Sequence, residues 1–406
     1  MSEIVIQYDT LALSQQLLER QRAHADAIAA YLPANAGIGD STGLLLSMFD
    51  PLSEAAIWAG EQAAHLVAAV EQRLAGAVGD TAVDLADTDG QVGASFARLL
   101  GELGGTGGTG GSGAAGDSPD LGGPILGAAG ESAPDGYGEV NSFFWQKTAD
   151  TVGAVTGAVG DATSLIDALG QWGGAGPVGE VADASSYLVP GQAPENPVQD
   201  LRWTAGGLLG GIDWVAEQFI GFSILDRCVY HPLAGDWQGI FRAGESWSHA
   251  GDAAGAIARN HAGLVASTPA TWQGESGDAF RTAMATMTYD VFELGAAYGV
   301  AADLVKRLAT VCKLACTAIG AALNLIANKL MKMAAEAATP VVGWLAGAVT
   351  AYQDIEAVVK NVRLIYGVFE TIESAIQGFA EARTAILDRL ALIEDLAQGG
   401  VGSAAA

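Results

Sequence analysis

Apolar residues recur three and four positions apart over most of the chain, the spacing that lays a single stripe along a helix. The clearest series lies in the C-terminal half. Trp247, Ala250, Ala254, Ile257, His261 and Leu264 form one run, and Phe280, Met284, Met287, Val291, Leu294, Tyr298, Val305, Leu308 and Cys312 form the next. Alternating threes and fours favour two helices packed side by side. The residues between them, Pro269-Ala-Thr-Trp272-Gln-Gly274-Glu-Ser-Gly-Asp, supply a stop and a restart. Pro269 disfavours α geometry at Thr268. Gly274 permits a backbone conformation closed to other residues. Ser276 is the expected N-cap, with Asp278 in the first turn, where the helix dipole favours negative charge. Trp272 is then a large apolar side chain on a short loop, and its cheapest position is across the mouth of the helix pair.

The same spacing recurs in residues 1–103. Leu11, Leu18, Ala25, Ile28 and Leu32 predict a first helix, broken at Pro33-Ala-Asn-Ala-Gly-Ile-Gly-Asp. After Pro51, Ile57, Val67, Leu74, Val78, Leu85, Val92 and Phe96 predict a long second helix. Trp58-Ala-Gly60 falls inside it, and its likeness to Trp272-Gln-Gly274 is read as chance. Residues 104–136 are rich in Gly, Ser and Thr and cannot bury enough apolar area to offset their ordering entropy, which predicts a flexible linker. Residues 137–230 read as a partly helical middle region, irregular from Gly170 to Pro197. Residues 231–335 hold the helix pair around Trp272. Residues 336–398 carry a last long helix beyond Pro340, and 399–406 a loose tail. The expected fold is all-α: tandem antiparallel helical hairpins with long helices, joined by a Gly-rich flexible linker.

Composition narrows the function. A net charge of −27 argues against nucleic acid as a partner, because phosphate neutralisation needs clustered Lys and Arg. Leu314 to Ala327 is apolar on every face but shorter than the roughly 20 residues a membrane span needs, so a buried central helix is expected there. Membrane contact by this stretch stays open. The N-terminus has neither a basic segment nor an apolar one of the classical signal-peptide kind. Cys312 and Cys316 are one helical turn apart with no His or acid beside them, which makes them small buried hydrophobes rather than metal ligands. The histidines are scattered, and no HExxH, GxSxG, Walker loop or CxxC is present. Gly105-Thr-Gly107-Gly-Thr-Gly110 matches a dinucleotide fingerprint in form only, since a helix rather than a strand precedes it. No constellation of side chains makes an active site, and no cofactor or metal is expected.

Trp272-Gln-Gly274 sits at a bend between two heptad-like helices. Upstream lie Pro232-Leu-Ala-Gly235-Asp236-Trp237-Gln-Gly-Ile240, Gly244-Glu-Ser-Trp247 and Ile257-Ala-Arg-Asn260. Together, over about residues 231–335, they resemble the WXG family of small helical proteins exported by type VII secretion, in its longer actinobacterial form. Residues 1–103 resemble, in layout alone, the secretion-associated helical domain at the N-terminus of other type VII substrates. The resemblance implies a non-enzymatic protein made in the cytoplasm and carried to the cell surface or medium without a classical signal peptide. It also implies a helical, hairpin-type partner, which could be a second copy, and recognition by a type VII secretion ATPase. Such substrates carry Tyr-x-x-x-Asp/Glu as an export signal. This chain has the pattern three times: Tyr289 with Glu293, Tyr352 with Glu356, and Tyr366 with Glu370. The i,i+4 spacing puts phenol and carboxylate on one helical face. The pair Tyr366 and Glu370 ranks first because it lies off the apolar stripe of the last helix. Tyr352 and Glu356 rank second, and Tyr289, beside the core stripe, ranks last with Glu293. Two other readings share these features: a cytosolic adaptor for a separately encoded toxin, and a membrane-active helical protein.

Overall fold

The computed structural model describes residues 6–102 except residue 45, then 121–124, 178–193, six positions between 206 and 225, 230–337, and residue 384. The side chains of 85–102, 326 and 329–337 are not described. About 82% of the described residues are helical, and no strand is present among them, only two isolated β-bridges. The protein is all-α. The sequence-predicted linker (apart from 121–124), most of the middle region, the last-helix segment (apart from 336–337 and 384) and the tail lie outside the described residues.

Among the described residues, four long helices carry the structure: α1 (Tyr8–Asn35), α2 (Asp50–Glu102), α3 (Trp237–Ser267) and α4 (Glu275–Ala337). The apolar stripes predicted from spacing are the buried ones. Leu11, Leu18, Ala25, Ile28 and Leu32 of α1 are buried, as are Trp247, Ala250, Ala254, Ile257 and Leu264 of α3 and Met284, Met287, Val291, Leu294 and Tyr298 of α4. α1 runs through Pro33 instead of ending there. Proline forfeits one hydrogen bond, but the last turn closes beyond it: Ala36 N–H donates to the Leu32 carbonyl at 2.9 Å. The break comes at Gly37-Ile38-Gly39, with Ile38 fully buried beneath it.

α1 and α2 pack antiparallel, Leu32 meeting Gly60 and Gln15 meeting Gly79. α3 and α4 do the same, Gly244 beside Lys306 and Gly251 against Gly295. The two pairs share one hydrophobic cluster, although the sequence layout assigns them to separate modules. The joint is made at several places. The Trp247 ring packs on Gly60, where a Cβ would lie 3.1 Å from it, and stands 5.6 Å from the Tyr298 ring. The Tyr298 hydroxyl donates to the Gly60 carbonyl at 2.7 Å. At one end of the bundle Asp236 N–H donates to the Ser41 carbonyl at 2.7 Å and Thr42 bridges Gly235. Gly235, at φ 110°, lies so close to Gly43 that neither position has room for a side chain. By length and composition, residues 275–325 of α4 could cross a membrane; 56% of its most apolar window is buried in the protein.

Candidate functional site

The Trp272 turn is built from local backbone chemistry. The Thr268 carbonyl, at the end of α3, accepts from Thr271 N–H at 3.1 Å and Trp272 N–H at 2.9 Å, which folds the chain back on itself. Gly274 has φ 105°, a region L-residues with side chains rarely occupy, and its carbonyl accepts from Asp278 N–H at 3.0 Å. Gly274, not Ser276, therefore opens α4. The Ser276 hydroxyl is engaged elsewhere, accepting from Trp272 Nε1 at 3.1 Å. The indole is 2% exposed and stacks on Phe280 at 4.6 Å between ring centroids. Gly277 makes this possible, because a Cβ there would fall 2.4 Å from the Trp272 carbonyl oxygen. Arg281 Nη1 donates to that same oxygen at 2.7 Å. Trp272 thus closes the mouth of the α3–α4 pair.

A contact absent from any sequence motif completes the turn. Ile6 forms an antiparallel bridge with Trp272, and Gln7 N–H donates to the Thr271 carbonyl at 2.8 Å. The start of α1 is thereby fastened to the bend of the other helix pair.

Two of the three Tyr/Glu pairs lie outside the described residues: neither Tyr352 nor Glu356, and neither Tyr366 nor Glu370, is among them. At the third, the shared face expected from i,i+4 spacing is not presented to solvent. Tyr289 is 37% exposed, whereas Glu293 is buried. Tyr289 is two residues from both Met287 and Val291, about 200° round the helix from each, so it points away from the core stripe rather than lying beside it. Glu293 precedes Ala297 by one turn, and Ala297 packs against Ala59 of α2. α4's own periodicity does not mark this carboxylate as buried.

Polar residues line the seam between the helix pairs. Asn260 of α3 is fully buried, and its Nδ2 donates to Gln21 Oε1 of α1 at 2.8 Å. His261 Nε2 meets Glu71 Oε1 of α2, both side chains having no exposure at all. The asparagine lies within the resemblance block and the histidine within the apolar stripe, yet their partners lie some two hundred positions away and could not be read from spacing. Cys312 and Cys316 are buried, with Cys312 Sγ donating to the Ala234 carbonyl at 3.3 Å. The neighbouring Cys316 thiol and burial both push the Cys312 thiol up, away from thiolate chemistry.

Residues 178–193 lie as a strap over α3 and α1, with a short 3-10 turn at Ala184–Tyr187. Within it Glu180, 2% exposed, is held by Arg20 Nη1 at 2.8 Å and His24 Nε2 at 2.9 Å. Asp183 lies 3.9 Å from the same histidine nitrogen. Burial raises its carboxyl, but hydrogen bonds from Ser185 and the nearby His24 hold it below the ordinary carboxylate value. His24, Glu180 and Asp183 are the one group among the described residues whose donors are close enough to share a metal ion. Here Glu180 already has a partner on each oxygen, Arg20 on Oε2 and His24 on Oε1. The cluster works as a charge-compensated anchor for the strap.

No family model, no curated protein and no solved structure matches the chain.

Proposed function

We propose that the protein is a non-enzymatic substrate of a type VII secretion system of the actinobacterial kind, working through helix–helix contact. The observation that carries this reading is the turn itself. Trp272-Gln-Gly274 occupies the bend of two antiparallel helices, with the Trp buried and the Gly at positive φ. A buried Trp and a positive-φ Gly together at a helix–helix bend support the resemblance of this turn to the WXG hairpin. In this reading the chain is a two-hairpin molecule whose α1–α2 pair supplies in cis the helical partner that a single hairpin would need. The secretion ATPase reads a Tyr/Glu pair: Tyr366 with Glu370 first, Tyr352 with Glu356 second, and the divided Tyr289 and Glu293 last.

The test is export. The tagged protein is expressed in an actinobacterium with an active type VII system and in the same strain lacking the secretion ATPase. It is expected in the culture filtrate or cell envelope of the first strain and confined to the cytosol of the second. Equal amounts outside both strains, or retention in both while a known substrate leaves, would overturn the reading. Retention in complex with another cytosolic protein would favour the adaptor. Changing Tyr366 and Glu370 together to Ala is expected to abolish export with helicity intact by circular dichroism.

A further inference from the structure

The strap is bound more as a ligand is bound than as a helix is packed. Its backbone is read by side chains of the two helices. Asn260 Oδ1 accepts from Val181 N–H at 2.8 Å and from Ala182 N–H at 2.9 Å, while its Nδ2 donates to the Ala182 carbonyl at 2.8 Å. A single amide thus plays the part that a neighbouring strand plays for an extended peptide. Further along, the Val189 carbonyl accepts from the Tyr31 hydroxyl at 2.5 Å and from His249 Nδ1 at 2.8 Å. Gly191 N–H donates to Ser246 Oγ at 3.2 Å, and a Cβ at Gly191 would strike α3. Between these backbone contacts small side chains, Val181, Ala182 and Ala184, are buried, and one carboxylate, Glu180, is gripped by a cation and an imidazole.

Two features define what the groove accepts. The first is charge. The molecule carries 46 acidic residues against 19 Lys and Arg, yet Arg20, His24, His249 and Arg259 all touch this strap. Most of such a surface repels an acidic peptide, whereas here Arg20 and His24 meet the strap's carboxylate, and His249 and Arg259 reach the neutral Val189 carbonyl and Tyr187 hydroxyl. The second is incomplete satisfaction. Gln21 Nε2 and Arg259 Nε are buried donors with no acceptor among the described residues, although Gln21 Oε1 and Arg259 Nη2 are both used around the strap. Buried unpaired donors cost free energy that a better-fitting ligand recovers.

We propose that the groove between α1 and α3 is a receptor site for an extended acidic peptide of a partner protein, a Glu flanked by small apolar residues, and that residues 178–191 occupy it in cis. The partner segment displaces the strap, takes the same Asn260 backbone contacts and the Arg20/His24 anchor, and brings acceptors for Gln21 and Arg259. This stands independently of whether the chain is exported.

The probe is a fluorescent synthetic peptide of residues 178–191, titrated by anisotropy into two full-length proteins. One is wild type. In the other the in-chain occupant is weakened by Glu180→Ala and Val181→Ser. The peptide is expected to bind the weakened chain saturably at one site. It should bind wild type at least about tenfold more weakly, because the tethered segment competes at high effective concentration. Adding Asn260→Ala to the weakened chain, or Gln in place of the peptide's Glu, should each cost about tenfold or more, the usual scale for a buried charge-assisted contact. A weakened chain that keeps its helicity but binds no peptide overturns the proposal, as does equal binding after Asn260→Ala. Should the weakened chain fail to fold, amide exchange of wild type decides. If the Val181 and Ala182 amides exchange well before those of Ala253–Ile257 in α3, the strap opens on its own and is exchangeable. If all exchange together in one global event, the strap is an inseparable part of the core and the groove is not a receptor.

Discussion

Trp272 and Gly274 show how much two residues can fix at a bend. The indole fills the space between helix ends, stacks on Phe280 and spends its N–H on Ser276. Trp272→Ala is expected to cost roughly 3–5 kcal/mol, the range for emptying a buried aromatic site, and to lower the midpoint of a urea melt followed by circular dichroism. An unchanged midpoint would mean that the ring contributes nothing to closing the pair. Lys313 poses the opposite problem: it is buried 4.8 Å from the Trp237 ring, and burial pulls its ammonium below the usual lysine range. The sign follows from proton counting. Between the lowered folded value and the ordinary 10.5 the unfolded chain binds more protons, so stability rises with pH across that window. Lys313→Met should therefore melt higher than wild type at pH 7, with the gap closing as the pH approaches 10.5. A gap that is constant or widens with pH would locate the effect in packing instead of charge. The sequence marked Trp272 and Gly274 plainly, because they fall together at the gap between two apolar stripes. Nothing in a linear string says that Lys313 lies over Trp237.

At the scale of elements, the four helices were legible because each buries a continuous stripe, and a stripe is a local property. Helix ends were less so. Pro33 read as a break, yet a hydrogen bond closed beyond it keeps the turn intact. The strap was not legible at all. Its segment reads as irregular, and it is ordered by Asn260, Tyr31 and His249, residues that lie far from it in sequence and are unremarkable in their own helices. The same blindness hid His261 and Glu71, which meet across the seam with no solvent contact. Replacing one partner strands the other in a medium that cannot solvate it, so Glu71→Ala or His261→Ala alone should cost about 3–5 kcal/mol. Replacing both with leucine-sized residues should cost far less than the sum, and such pairs are sometimes better replaced than kept. A double-mutant cycle by urea denaturation measures the coupling; additive costs would mean that the two side chains do not act as a pair.

At the scale of the molecule, the decisive fact is that residues from both helix pairs belong to one hydrophobic cluster. Sequence layout suggests modules that could part once the Gly-rich run between them is cut. The packing says otherwise. Trp247 on Gly60, Tyr298 bonded to Gly60, Asn260 bonded to Gln21 and Ile6 bridged to Trp272 all cross from one pair to the other. None of these contacts uses the covalent connection. A specific protease site inserted after Gly110, in a stretch whose Gly and Thr content tolerates insertion, lets the chain be cut into two fragments of about 110 and 300 residues. The nicked protein is expected to elute from a sizing column as one species at micromolar concentration and to keep its helicity. It should unfold in a single transition at lower urea than the intact chain, because the ends are no longer joined. Trp247→Ala removes the indole that packs on Gly60, so in the nicked protein it should release the fragments, whereas in the intact chain it should only lower the midpoint. Two peaks from the nicked wild type under native conditions would mean that the shared cluster does not hold the pairs together. The contacts across the seam would then be consequences of the tether and not its substitute.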